Sequence, residues 1–233
     1  MEVLLEPFSR LLANIENEPP EAQLQAVDEA GFCDALRSEA NGGAGLTLAE
    51  VQPLLSALGY YGIAAPIARE MASRAVDAFG QELVAVLAAA EIFGAAARVL
   101  ELSLAHAADR VQFGKPIGRQ QAVQHNLAVM AEQVLMARIA AQMGCAGGLQ
   151  PSLEIAASAK QVASVAALQV ATLGHAIHGA IGITREHALH RFTSKLHRLR
   201  LAGGSESWWA EQLGKRALET QEPTALGLVC GFA

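Results

Sequence analysis

Aromatic residues are scarce in this chain. Phe, Trp and Tyr make up only 5% of 233 residues, and clusters of Val, Ile and Thr bounded by turn residues are rare. The apolar content is still 52%, carried mainly by Ala and Leu, which excludes a sheet protein and points to a helical one with a core of useful size. Cysteine is scarce too. Cys33, Cys145 and Cys230 are odd in number and form no C-x-x-C pair, which excludes a disulfide framework and fits free thiols in a reducing, cytoplasmic setting. There is no basic excess: 17 Lys and Arg stand against 23 Asp and Glu, a net charge of −6. A nucleic-acid surface is therefore not expected. Met1-Glu2-Val3 opens neither a basic nor an apolar leader region, so no export signal is expected. Residues 161–184 carry no formal charge, but Gln161, Ser164, Gln169, Thr172, His175 and His178 are costly in hydrocarbon. That stretch reads as a buried bundle helix and not as a membrane span.

Proline is confined. Pro7, Pro19, Pro20, Pro53 and Pro66 occupy the first third, and only Pro116 and Pro151 follow before Pro223. A proline inside a helix costs about 3 kcal/mol, so residues 67–115, 117–150 and 152–222 are free to form long helices. Residues 1–75 read as a small domain of short helices joined by turns. One helix starts near Glu21, Asn41-Gly42-Gly43-Ala44-Gly45 is a loop, and Thr47 with Glu50 forms a capping box. Residues 76–220 read as a bundle and 221–233 as a tail. Leu83, Val86, Leu87, Ala90, Phe93, Ala97, Leu100 and Leu104 recur at helical spacing along a helix from Gln81 to Arg110. Further helices are expected over Arg119–Gly144, Ser152–His175, Thr184–Leu199 and Glu206–Glu219. The fold class is all-α: a short helical domain followed by an up-down four-helix bundle.

Two features leave alternatives open. Basic residues gather between Arg185 and Arg200, among them Lys195 and Arg198, either as a solvated helix face or as a site for an anionic phosphate. Gln121 and His125 share a helix face, suited to a hydrogen bond inside the bundle or to a role at a cofactor. The seven histidines show no metal-ligand spacing with acidic or thiol partners, so no metal is assigned. His175 and His178 read as satisfied interior histidines.

The stretch Arg110-Val111-Gln112-Phe113-Gly114-Lys115-Pro116-Ile117-Gly118, with Gln121 following, resembles the R-x-Q-F-G-K/R-P-I-G-x-x-Q-A signature of acyl-CoA dehydrogenases. Further stretches are similar to that family in the same order: Ala30-Gly31-Phe32, Glu39 to Leu46, Leu55 to Pro66, Ala90-Glu91 with Gly94 through Phe113, and His178 to His187. The resemblance implies an acyl-CoA substrate, FAD, and a glutamate base. It also implies a cofactor whose adenine-side half lies across a subunit interface, where the neighbour's bundle supplies contacts. On this chain those contacts would be Arg110 on the diphosphate, Phe113 on adenine or ribose, Gln112 on a phosphate or ribose oxygen, and the backbone at Gly179 and Gly182. Core filling by Phe113 and a helix-end charge at Arg110 are the plainer alternatives.

The chain departs from the family pattern in three places. About 100 residues of middle β-domain have no counterpart. The Y-E-G-T-S stretch that carries the base in many members falls on Leu201-Ala202-Gly203-Gly204-Ser205, so Ala202 stands in the glutamate's place. Ala176 replaces the glutamine of the glycine motif. Some members put the base on the first bundle helix, but Glu91 lies about two turns from the expected point there and reads as a buried or capped structural carboxylate, with a role as base the alternative. The resemblance therefore implies a subunit of a heteromer whose full-length partner holds the isoalloxazine and the acyl-CoA. Its electrons would go to an electron-transfer flavoprotein. A non-catalytic scaffold, or a small complete enzyme using Glu91, are the alternatives.

Overall fold

The computed structural model describes residues 2–219; the expected tail at 221–233, with Pro223 and Cys230, lies outside them. The first third forms α1 (Glu2–Ile15), α2 (Pro20–Glu29), α3 (Leu48–Tyr60) and α4 (Ile67–Ala75). Local chemistry starts these helices where the sequence marks them. Pro20 takes the first position of α2, where its missing N–H costs nothing. Thr47 Oγ1 accepts from Glu50 N at 3.2 Å while Glu50 Oε2 accepts from Thr47 N at 2.8 Å, closing the expected capping box. Pro7 and Pro53 sit inside α1 and α3 instead of bounding them.

The bundle follows: α5 (Gln81–Asp109), α6 (Gln121–Ala146), α7 (Leu153–His178), α8 (Leu189–Leu201) and α9 (Glu206–Glu219). Between α5 and α6 lies a hairpin, β1 (Val111–Gln112) with β2 (Lys115–Pro116), paired antiparallel with Gln112 opposite Lys115. It is the only sheet among the described residues. Small residues let the long helices close: Ala89, Ala95 and Ala96 on α5 and Ala159, Ala163 and Ala167 on α7 are all buried.

The N-terminal helices join the bundle through bare backbone. A Cβ on Gly94 of α5 would lie 1.7 Å from the Ser56 carbonyl oxygen of α3, and one on Gly59 would lie 1.9 Å from the Glu91 carbonyl oxygen. Ser56 Oγ donates to the Ala90 carbonyl across the same crossing at 3.1 Å. One apolar core runs from Phe8 and Leu12 through Leu54 and Leu58 to Leu83, Val86, Ala156 and Trp209, so it is continuous across residue 75. A second core fills the far end of the bundle around Ile92, Val99, Met130, Val170 and Phe192.

The fourth long helix is shorter than expected. Residues 179–183 form a 3-10 turn, and α8 starts at Leu189 instead of Thr184. The turn packs closely on the start of α8: a Cβ on Gly182 would meet Leu189 Cδ2 at 2.8 Å and His178 Cβ at 3.0 Å. Thr184 Oγ1 then donates back to the Ile181 carbonyl at 2.9 Å, holding the turn. With 13 residues, α8 covers only part of the bundle's side, and α9 packs on α7 to cover more. By length and composition two helical stretches, Gln81–Asp109 and Leu153–Ile183, could cross a membrane. Both are packed into the bundle, and α5 supplies residues to both cores.

Candidate functional site

Arg110 ends α5 and enters the hairpin, which Ile117 N closes by donating to the Arg110 carbonyl at 2.8 Å. The two residues at its tip, Phe113 (φ +53°) and Gly114 (φ +77°), both lie in the left-handed region. Left-handed backbone at both positions suits the twist of a two-residue hairpin, where Asn-Gly is the usual choice. A phenylalanine in the first position costs about 1–2 kcal/mol through its Cβ. Phe113 is the one non-glycine residue with positive φ among those described, and its side chain is 90% exposed. Core filling is thereby overturned: the ring lies outside both cores.

Opposite the hairpin, α7 ends at His178 and the backbone reverses at Gly179 (φ +64°, ψ −143°), a conformation open essentially to glycine alone. Nothing lies within 4 Å of where a Gly179 Cβ would be, so the backbone there is approachable. Between the two features runs a cleft of about 400 Å³ lined by His106, Arg110, Gln112, Ala176, His178 and Gly179. Arg110 and Gln112, far from Gly179 in sequence, share that one cleft. Both side chains are exposed, and neither has a side-chain hydrogen bond or ion pair among the described residues. Gly182 is not part of this arrangement: it is buried behind the turn and packed on Leu189. Gln121 and His125 are exposed on α6, so a hydrogen bond in the bundle interior is not what they make.

At one end of the cleft three imidazoles meet. The rings of His106 and His178 stack at 4.4 Å, and His187 meets His178 edge-on at 4.6 Å. His178 Nδ1 faces the Gly174 carbonyl at 2.8 Å, while its buried Nε2 has no partner among the described residues. His175 bonds Thr193 Oγ1 at 3.0 Å through Nε2 and likewise leaves Nδ1 unpaired, so neither interior histidine is fully satisfied. Burial pushes the His178 pKa down to about 4, against the pull of the Gly174 carbonyl. His106 is lowered as well, by burial first and then by His187. Local spacing could not reveal this cluster, because its members come from three separate elements.

A second cleft, of about 230 Å³, lies where the N-terminal helices meet α5 and α8 and is lined by Val84, Leu87, Glu91, Lys195, Arg198 and Ala202 among others. The loop after α8 rests directly on α5, since a Cβ on Gly203 would lie 2.8 Å from Ala85 N. Ala202 therefore projects a methyl group into this cleft, and Glu91 is its one carboxylate. Glu91 is tied to Lys195 at 2.7 Å with both side chains largely buried, and Lys195 also donates to the Ile63 carbonyl. Much of the basic run thus has a structural use. Lys195 pairs with Glu91, Arg191 donates to Asn17 Oδ1 and the Glu16 carbonyl, and Arg200 pairs with Glu206. Beneath the loop, fully buried Lys160 donates to Ser164 Oγ and to the Leu199 and Arg200 carbonyls at 2.7–2.9 Å, capping the end of α8. No local pattern in the sequence marks that buried ammonium.

Residues 83–218 match the family profile described as acyl-CoA dehydrogenase, C-terminal domain. Over 116 residues the chain is 39% identical to the acyl-CoA dehydrogenase IpdE2 of Mycobacterium tuberculosis, a stretch covering 50% of this chain and 36% of that protein. It is 36% identical over 119 residues to the 3-sulfinopropanoyl-CoA desulfinase of Paraburkholderia xenovorans, covering 51% of this chain and 31% of that one. The alignments thus span about a third of the length of these curated relatives. Among solved structures, a chain of the Tcur3481-Tcur3483 steroid ACAD superposes with a TM-score of 0.80 at 16% identity, covering 93% of this chain and 97% of that chain. A chain of the ChsE4-ChsE5 complex from Mycobacterium tuberculosis superposes at 0.75 and 16% identity, covering 94% and 98%. At that identity the likeness is one of fold, over chains of nearly equal length.

Proposed function

The chain belongs to the acyl-CoA dehydrogenase family, and on that premise we propose that it is the short subunit of a heteromeric flavoenzyme that oxidises an acyl-CoA thioester. In this reading it completes the FAD site of a full-length partner. The observation that carries it is the hairpin cleft. An unpaired Arg110, the Gln112 amide and the open turn at Gly179 line one groove, with Phe113 held exposed in a strained conformation at its rim.

These residues fit the diphosphate half of a dinucleotide. A guanidinium binds phosphate through paired charge-assisted hydrogen bonds. Gln112 adds an amide donor, and Gly179 lets backbone come close where any Cβ would intrude. Ala176 contributes only a methyl to the same groove, one hydrogen bond fewer than the family's glutamine would give. The exposed Phe113 ring offers a flat apolar face to adenine or ribose. When bound, FAD supplies the hydride acceptor. The base falls to the partner, because Ala202 has no lone pair and Glu91 would have to leave a buried ion pair with Lys195 to act. The likeness to a chain of a steroid ACAD favours a bulky acyl group reached through the partner. Electrons would pass to an electron-transfer flavoprotein in the cytoplasm.

Co-expression tests this proposal. The chain purified alone should retain little flavin, and the complex with its full-length partner should be yellow and active. Stoichiometric flavin on the lone chain, or turnover by it, would refute the shared site. A second reading, a scaffold that only assembles, draws on the methyl groups at Ala176 and Ala202. It would hold if loss of Arg110 changed neither flavin content nor turnover of the complex.

A further inference from the structure

The histidine cluster has no use in flavin binding as derived above. His106 lies in the last turn of α5, His178 is the final residue of α7, and His187 stands just before α8. Each offers one ring nitrogen, and these nitrogens all lie within 4.8 Å of one another. We propose that His106, His178 and His187 form a site for a single divalent transition-metal ion of the zinc type, at the end of the hairpin cleft.

His178 is the strongest part of the case. It is 94% buried, its Nδ1 proton is committed to the Gly174 carbonyl, and its Nε2 lone pair points inward with no partner. A carbonyl on one nitrogen and a free lone pair on the other is how proteins orient a metal-binding histidine. Burial also favours the neutral form of His106 and His178, the form that ligates. Among the described residues no carboxylate or thiolate belongs to the cluster. An all-imidazole donor set suits zinc, copper or nickel over calcium or magnesium.

Binding requires two local adjustments. Tetrahedral coordination at about 2.0–2.1 Å brings ligand nitrogens to roughly 3.4 Å from one another, so the rings must draw together. Among the described residues His106 makes no side-chain hydrogen bond, and it can turn out of its stack on His178, whose planes are 22° apart. His187 Nδ1 now accepts from Leu189 N at 3.1 Å. Ligation through its Nε2 moves the proton to Nδ1 and releases that amide, which belongs to the first turn of α8 and has no helical acceptor. Three protein ligands leave a fourth position to be filled by water or an anionic oxygen.

The lone, untagged chain, stripped with chelator and free of flavin, is titrated with Co²⁺ and then Zn²⁺. One equivalent of Co²⁺ should bind with visible ligand-field bands of a four- or five-coordinate nitrogen site, and one equivalent of Zn²⁺ should erase them. His106→Ala and His187→Ala should each abolish stoichiometric binding while helical circular dichroism is retained, and exposed His125→Ala should leave it intact. Zn²⁺ should also raise the melting temperature of the wild-type chain and of His125→Ala alone. Substoichiometric binding by the wild-type chain, or equal binding by His106→Ala and His187→Ala, would overturn the site. Neither result bears on the flavin reading, since flavin is absent from every arm.

Discussion

Replacing Gly94 by alanine places a methyl group 1.7 Å from the Ser56 carbonyl oxygen, where real contacts stay beyond 3.0 Å. The obstacle is backbone and cannot rotate away, so α3 and α5 must part by more than an ångström at their crossing. Forced overpacking of a tight interface costs about 1–3 kcal/mol. The Ser56–Ala90 hydrogen bond spans the same gap, and straining it adds about 1 kcal/mol. A loss of about 3 kcal/mol lowers the melting temperature of a chain this size by roughly 6–12 °C. Gly214 is the internal control, since it is exposed within α9 and a Cβ there would meet nothing within 4 Å. Gly214→Ala should stabilise by about 0.5–1 kcal/mol, because it removes only unfolded-state freedom. Thermal melts of the two variants followed by circular dichroism therefore move in opposite directions. If Gly94→Ala melts at or above the wild-type temperature, the two backbones do not touch and the joint between N-terminal helices and bundle is drawn wrongly.

Phe113→Gly should raise stability by about 1 kcal/mol by releasing left-handed strain, yet lower flavin retention by the complex; a melt and the flavin absorbance per complex read both. Lys160→Met removes the donor to two carbonyls at the end of α8 and should cost about 2–4 kcal/mol, measured by urea denaturation. Burial pushes the Lys160 pKa down to about 7, with Glu206 pulling it up and Arg200 pushing it down. The unfolded chain therefore binds the extra proton between pH 7 and about 10, so wild-type stability relative to Lys160→Met should rise across that window. Burial likewise pushes the Cys145 thiol up to about 12 and Cys33 up to about 11, the latter partly opposed by Arg74. Peptide mapping after iodoacetamide at pH 8 should find both unlabelled in the native chain and labelled once it is denatured.

What could be read from the sequence was local and periodic. The apolar spacing from Leu83 to Leu104 places α5, Thr47 with Glu50 starts α3, and the run from Arg110 to Gly118 marks the hairpin cleft. What could not be read is tertiary. Thr184 to Ala188 has no composition that forbids helix, yet α8 starts only at Leu189, whose N–H donates to the His187 side chain. Phe113 reads equally as core or contact until its backbone angle and exposure are seen. Glu91 reads from the sequence as a structural carboxylate, but its partner Lys195, about 100 residues later, is found only in the packed structure. His106 is 72 residues from His178, so their stacking follows only from how α5 and α7 are packed. Pro7 and Pro53 are tolerated inside helices, which a rule about proline alone does not foresee.

The shared cofactor site is tested most directly by titrating FAD into the flavin-stripped complex of this chain with its full-length partner, with wild-type chain and with Arg110→Ala. Loss of a charge-assisted contact worth about 1.5–3 kcal/mol should weaken FAD binding by roughly 10- to 150-fold while the complex stays assembled. Equal affinity in the two complexes would mean that Arg110 and its cleft face no flavin.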